Sequence, residues 1–134
     1  EIFHRWIIDV YHYEPDSRHR YIPIQSWQYG GIVVIDTRST EHYRAGHIPG
    51  AISFPHRTMN ASSTASLDPQ TLYVCYCDGI GCNGSTRGAY KLAALGFQVK
   101  ELIGGLHWWR QDGFAIVTGL EAGELTDGGI GCAC

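Results

Sequence analysis

Two short apolar runs constrain this chain more than any other feature. Ile32-Val33-Val34-Ile35, closing on Asp36, and Leu72-Tyr73-Val74-Cys75-Tyr76 are apolar without alternation. A strand with one face in water alternates polar and apolar residues, so unbroken runs of β-branched and aromatic residues fit strands covered on both faces. A third, shorter strand is predicted around Val99 to Ile103. Between the last two, Ser85 to Leu95 carries Ala89, Leu92, Ala93 and Leu95 on one apolar stripe, and Gly96 stands where a helix C-cap glycine belongs. Strand, loop, helix and strand form a crossover unit, expected to be right-handed. The fold class is α/β, a mostly parallel sheet with helices on both faces.

The remaining segments fit around that unit. Phe3, Trp6, Ile7, Val10 and Tyr11 have helix-like spacing, and Glu14-Pro15-Asp16-Ser17 ends any helix before it, so residues 1–30 read as a short helix and an irregular segment. The domain core is expected over 31–118, with a further helix over Leu106 to Gln111 after Gly104-Gly105. Asn60 to Ala65 reads as a surface loop. Residues 119–134 read as a tail, glycine-rich and loose from Glu121 to Gly131 and ending in Cys132-Ala133-Cys134. With 134 residues, 44% of them apolar, the chain suffices for one compact domain and not two.

Charge and cysteine usage narrow the function classes. A net charge of −3 without a long basic run gives no sign of nucleic-acid or membrane-surface binding, and small molecules or proteins are the expected partners. No apolar stretch approaches the roughly 18–20 residues of a membrane span, and Glu1 to Trp6 lacks the order of a signal peptide. Five cysteines, at 75, 77, 82, 132 and 134, are odd in number and clustered, unlike a secreted disulfide framework. A reducing, cytoplasmic setting with reactive thiols is expected. The seven histidines include no H-E-x-x-H pair, so neither a metal nor another cofactor is expected.

Cys77 falls where reactive groups sit in an open α/β sheet, between a buried strand and a helix. The segment Cys77-Asp78-Gly79-Ile80-Gly81-Cys82-Asn83-Gly84 precedes Ser85, which opens the helix. Three glycines with positive φ would let the backbone N–H groups curl around the sulfur, with the helix N-terminus adding partial positive charge. Both effects favour thiolate, and the same cradle would hold a persulfide anion. The bland alternative is a tight turn beside an ordinary buried cysteine. Cys82 lies in the same loop as a rival nucleophile, a resolving thiol or a small turn-filling side chain. A disulfide with Cys77 requires Cα atoms within about 7 Å.

The order of motifs along the chain resembles the rhodanese family. Val34-Ile35-Asp36-Thr37-Arg38-Ser39-Thr40-Glu41-His42-Tyr43, followed by Gly46-His47-Ile48-Pro49-Gly50-Ala51-Ile52, is similar to its first signature. Leu102-Ile103-Gly104-Gly105-Leu106, with Trp108 or Trp109 and then Gly113-Phe114, is similar to its closing one. The resemblance runs from about residue 31 to 117. It implies a five-stranded, mostly parallel sheet flanked by helices, and sulfur transfer through a persulfide on Cys77. Asp36 and Arg38 match the family's Asp-x-Arg pair, and a supporting role near the loop is expected: the carboxylate accepting loop N–H groups, the arginine holding a carboxylate in bidentate fashion. His47 is read as a packed turn residue, not a general base. One of Trp108 and Trp109 is a candidate wall of the substrate cleft.

The loop departs from the family pattern in ways that bear on the donor. Counted back from Gly96, a six-residue active loop would begin near Gly79, so this loop is two residues longer. Gly84 occupies the place of a common loop arginine, and Asp78 puts a carboxylate beside the nucleophile. Repulsion of an incoming dianion predicts weak use of thiosulfate relative to thiol or persulfide donors. The expected reaction is double displacement, taking sulfane sulfur from a small-molecule donor to cyanide, a small thiol or a protein thiol, with no cofactor. A cysteine phosphatase would need an arginine six residues after its nucleophile, where Asn83 and Gly88 stand. The alternatives kept open are a catalytically weak regulatory or interaction module and a Cys77/Cys82 redox switch.

Overall fold

A computed structural model describes residues 7–9, 31–79 and 81–123 of the chain. In chain order the elements are β1 (Ile7–Asp9), β2 (Gly31–Asp36), α1 (Thr40–Ala45), β3 (Ile52–Ser53), a 3₁₀ turn (His56–Thr58), β4 (Thr71–Tyr76), α2 (Gly84–Ala94), β5 (Gln98–Leu102) and α3 (Gly105–Gln111). The sheet order is β1-β5-β4-β2-β3. Strands β3, β2, β4 and β5 run parallel, and β1 pairs antiparallel with β5. This is an α/β fold, a mostly parallel sheet with helices on both faces.

Strand β4 is central, hydrogen-bonded on both edges, and all six of its residues are buried. Its side chains alternate between two cores. Leu72, Val74 and Tyr76 meet Val34, Tyr43, Ile48, Leu102, Leu106 and Trp109 on one face, while Tyr73 and Cys75 meet Ile35, Met59, Ala89, Leu92 and Val99 on the other. Helices α1 and α3 therefore cover one face and α2 the other. That double cover explains the unbroken apolar run of β4: neither face is wet. Strand β2 shows the same pattern only in its second half, Val34 to Asp36, where the sheet is covered.

The N-terminal segment corrects one expectation. Ile7–Asp9 is not helical; it lies antiparallel to β5, with Ile7 opposite Leu102, Ile8 opposite Glu101 and Asp9 opposite Lys100. An uncovered β5 would leave a row of backbone donors and acceptors unpaired, and satisfying that edge outweighs a weak helical periodicity. The rest of the segment expected as helix and irregular chain lies outside the described residues. So do Ile80, Cys132 and Cys134.

Two further differences have local causes. Helix α1 was not legible as a helix: Ser39 caps it, its Oγ accepting from the His42 amide (3.3 Å), but six residues are too few to show a period. The start of the expected loose tail is tied down, since the Gly50 amide donates to the Ala122 carbonyl at 2.7 Å. Helix α2 ends as predicted, with Gly96 at φ +97° just beyond its C-terminus.

Trp109 joins α3 to the larger core. It is fully buried, its indole Nε1 donates to the Ala115 carbonyl (2.7 Å), and its ring packs on Phe114 with centroids 4.9 Å apart. Trp109→Ala is expected to lower unfolding free energy by about 3–5 kcal/mol, read from urea denaturation.

Candidate functional site

Cys77 is the first residue after β4 and is 3% exposed. Two amides from the first turn of α3 hold the chain there: Leu106 N–H donates to the Cys77 carbonyl (3.0 Å) and His107 N–H to the Asp78 carbonyl (2.7 Å). First-turn amides have no partner within their own helix, so the loop satisfies them. This docking requires a glycine at position 105. Its φ is +57°, and a β-carbon there would collide with the Cys77 carbonyl and come within 2.9 Å of the Gly79 nitrogen.

Beyond Asp78 the loop turns back, the Cys82 amide donating to the Gly79 carbonyl at 3.1 Å. Of the three loop glycines expected to take positive φ, only Gly81 does so, at +95°. The other two are required by close approach. A β-carbon on Gly79 would lie 3.1 Å from His107 Cβ, and one on Gly84 would lie 3.2 Å from Cys77 Sγ. Gly84 thus lets the first turn of α2 start against the sulfur, where partial positive charge favours thiolate. Asn83 stands at the N-cap of α2 without a side-chain capping bond. Ser85 points elsewhere: its hydroxyl donates to Glu101 Oε1 at 2.7 Å, tying α2 to β5.

Asp36 and Arg38 form a buried cluster behind the loop. Arg38 Nε and Nη2 donate to the two carboxylate oxygens of Asp36 (2.9 and 2.6 Å), a bidentate pair, and Nη2 also donates to the Gly46 carbonyl (2.7 Å). The Tyr76 hydroxyl donates to Asp36 Oδ2 (2.7 Å) while accepting from the Ile48 amide (3.0 Å). Among the described residues, Asp36 takes no amide from the Cys77 loop. Its backbone donor is Arg38 N (3.0 Å), which refines the expected role. Burial disfavours a charged guanidinium, yet the hydrogen bonds and charge of Asp36 and the bond to Asp78 outweigh it and raise the Arg38 pKa above its ordinary value. Burial first, and then the Asp36 charge, raise the Tyr76 pKa, so its hydroxyl stays a donor.

That cluster changes the electrostatics expected of Asp78. Its carboxylate, 60% exposed, receives Arg38 Nη1 at 2.9 Å. The negative charge beside the nucleophile is therefore paired, and the repulsion of a dianion is weaker than the sequence implied. Cys77, Asp78, Cys82, Asn83 and Gly84 share a cavity of about 480 Å³ with Thr37, Arg38, His42, His56 and Arg57. His56 and Arg57, from the 3₁₀ turn, escaped the sequence reading; nothing in Pro55-His56-Arg57 marks it as part of the site before the chain folds. His56 is held below the ordinary histidine range by burial and then by Lys91, Arg57 and Arg87, which favours its neutral form. Its Nδ1 has no hydrogen-bond partner among the described residues. Arg87 lines a neighbouring groove and not the cavity at Cys77.

The other candidates fall away from the chemistry. His47 is buried and stacked on Tyr43 (3.6 Å between centroids), with Nδ1 facing the Tyr43 carbonyl (2.8 Å) and Nε2 the Glu121 carbonyl (2.9 Å). It clasps two chain segments and leaves neither nitrogen for proton transfer. Trp109 is core; Trp108 lines a shallow depression on the α3 side of the loop, with Asp78, Gly79, Cys82 and His107. Cys75 is fully buried, and burial, then the Glu101 charge, push its thiol well above the usual range, so it is inert.

Cys77 and Cys82 are joined as a disulfide, with Cα atoms 6.2 Å apart. The loop therefore does bring the two thiols together. Cys82 is half-buried and the more accessible of the pair. Their sulfurs and the Asp78 carboxylate lie within 4.8 Å of one another. With the sulfurs bonded to each other, only the carboxylate could serve as a metal ligand.

A family model described as a rhodanese-like domain matches residues 25–112. The HTH-type transcriptional regulator Rv0324 of Mycobacterium tuberculosis is 34% identical over 95 residues, which are 71% of this chain and 42% of the regulator. The chain thus spans less than half the length of that relative. Thiosulfate sulfurtransferase GlpE of Pseudomonas entomophila is 39% identical over 82 residues, 60% of this chain and 72% of that enzyme. Among solved structures, the BH2092 protein from Bacillus halodurans superposes with a TM-score of 0.65 at 44% identity, covering 69% of this chain and 67% of that one.

Two substitutions test the scaffold. Asp36→Asn leaves the Arg38 charge without its buried partner and is expected to destabilise the fold by about 3 kcal/mol, seen as a lower urea midpoint with unchanged slope. Gly105→Ala is expected to cost about 1–3 kcal/mol and to loosen the Cys77 loop, read as faster amide exchange at Leu106 and His107.

Proposed function

The chain belongs to the rhodanese-like domain family, and on that premise we propose that it is a sulfurtransferase acting through a persulfide on Cys77. The reduced Cys77 thiolate attacks the sulfane sulfur of thiosulfate or of a small-molecule persulfide. A Cys77–sulfur bond forms, the donor's sulfur–sulfur bond breaks, and sulfite or thiolate leaves with the electron pair. The outer sulfur then passes to cyanide, a small thiol or a protein thiol. Neither a metal nor another cofactor enters the cycle. The clustered, odd cysteine count supports a reducing cytoplasm as the place of this chemistry.

The single observation that carries the proposal is the position of Cys77: at the end of the central strand, against the first turn of α2, and at the wall of a cavity of about 480 Å³. The similarity to GlpE, a thiosulfate sulfurtransferase, supports the reaction class. The donor follows from the charges. Asp78 is paired with Arg38, and Arg57 lines the same cavity, which supports keeping thiosulfate among the donors alongside persulfides. The similarity to the mycobacterial regulator favours a second reading, a domain that senses sulfur or redox state and turns over slowly if at all.

Intact mass spectrometry separates these. After reduction, removal of the reductant and exposure to thiosulfate or glutathione persulfide, an adduct of about 32 Da is expected on Cys82→Ser, which keeps Cys77 as its loop thiol, and absent from Cys77→Ser. Thiocyanate formation should fall at least about a thousandfold in that variant. An adduct that survives Cys77→Ser would move the nucleophile to Cys82. No adduct on either Cys82→Ser or Cys77→Ser would leave the regulatory reading.

A further inference from the structure

Cys82 is not needed for the double displacement, yet the loop delivers it to the reacting sulfur. From the disulfide we infer that Cys82 is a resolving thiol, which cuts the Cys77 persulfide and releases its outer sulfur as hydrosulfide. The step presupposes the Cys77 persulfide proposed above and adds a second outlet for it. No external acceptor takes the sulfur at this stage.

The geometry that carries this lies at both ends of the loop. The α3 amides fix the Cys77 and Asp78 carbonyls, as described, and the first helical bond of α2, from Arg87 N–H to the Asn83 carbonyl (3.0 Å), fixes the chain just after Cys82. The turn closed by the Cys82 amide on the Gly79 carbonyl folds one anchored end toward the other. The two Cα atoms stand 6.2 Å apart, inside the range a disulfide needs, with β4 and α2 both formed. Cys77 is nearly inaccessible while Cys82 is half-buried and opens on the same cavity, so the second thiol stands between the first and solvent.

The step balances as a thiol–disulfide exchange. The Cys82 sulfur attacks Sγ of Cys77–Sγ–SH, the Cys77–Cys82 bond forms, and the bond from Sγ to the outer sulfur breaks. Hydrosulfide leaves with that electron pair. Starting from the Cys82 thiol and the persulfide anion, the thiol proton moves to the outer sulfur, so the products are the disulfide and HS⁻ with charge conserved. The outer sulfur is reduced to sulfide and the Cys82 sulfur is oxidised to the disulfide level. A dithiol reductant, itself oxidised to a disulfide, restores both thiols. The disulfide form is then an obligatory intermediate of this outlet, inert to donors until reduced.

The test uses the full chain, reduced with dithiothreitol and desalted, then mixed with thiosulfate in thiol-free buffer. Wild type should release about one equivalent of hydrosulfide per chain, read by methylene-blue formation, and end about 2 Da lighter than the dithiol form. Cys82→Ser should keep the adduct of about 32 Da and release at least about tenfold less hydrosulfide. Added dithiothreitol should make release catalytic in wild type. Equal hydrosulfide from wild type and Cys82→Ser, or a wild-type adduct that persists with no release, would overturn the inference while leaving the persulfide intact. Absence of the adduct from Cys82→Ser, with thiosulfate and with glutathione persulfide alike, would overturn the sulfurtransferase assignment and this step with it.

Discussion

The buried pair of Asp36 and Arg38 holds together four parts of the molecule drawn from two stretches of chain about forty residues apart. Asp36 ends β2, Tyr76 ends β4, Gly46 follows α1, and Asp78 belongs to the reactive loop; one guanidinium and one carboxylate connect them all. Two charges removed from water need near-complete hydrogen bonding to be tolerated, and the bidentate geometry with the Tyr76 hydroxyl and the Gly46 carbonyl supplies it. The result is less a source of stability than a statement of register. Only one alignment of β2 against β4 satisfies every donor.

From that fixed frame the reactivity proposed for Cys77 follows by position more than by any dedicated base. The inward-turned His47, the buried Cys75 and His56, whose charged form burial disfavours, leave the sulfur's environment to backbone dipoles, to Gly84 and to its neighbour Cys82. Charge on the cavity wall is mixed: Asp78 is matched by Arg38, and Arg57 faces the same space. Under the proposed reaction such a wall suits anionic and neutral sulfur donors alike.

Much of this was legible in the sequence because it is written in local patterns. The double cover of β4 shows in the five successive apolar residues Leu72 to Tyr76, and α2 shows in its apolar stripe and terminal glycine. The ordered motifs placed Cys77 at the strand end and named Asp36 and Arg38. What escaped depends on contacts between distant residues. Strand β1 exists because β5 has an edge to fill, and three residues carry no period of their own. Arg38 reaches Asp78 across forty positions of sequence, a pairing that no spacing rule predicts. His56 and Arg57 join the cavity only because a short turn after β3 lies beside α2. The glycines show the same division: their presence announced a tight loop, but whether each serves a positive φ or a close approach is decided by its neighbours.

The pinning of the Cys77 and Asp78 carbonyls by α3 has a consequence for how such a loop can change. Because Cys77 is held by its own backbone on one side and α2 is seated against its sulfur on the other, length and composition vary most freely between Gly79 and Gly84. Cys82 lies in that interval, within reach of Cys77. On the proposed chemistry, substrate preference and sulfur fate are rewritten there, while the strand, the helices and Cys77 stay where they are.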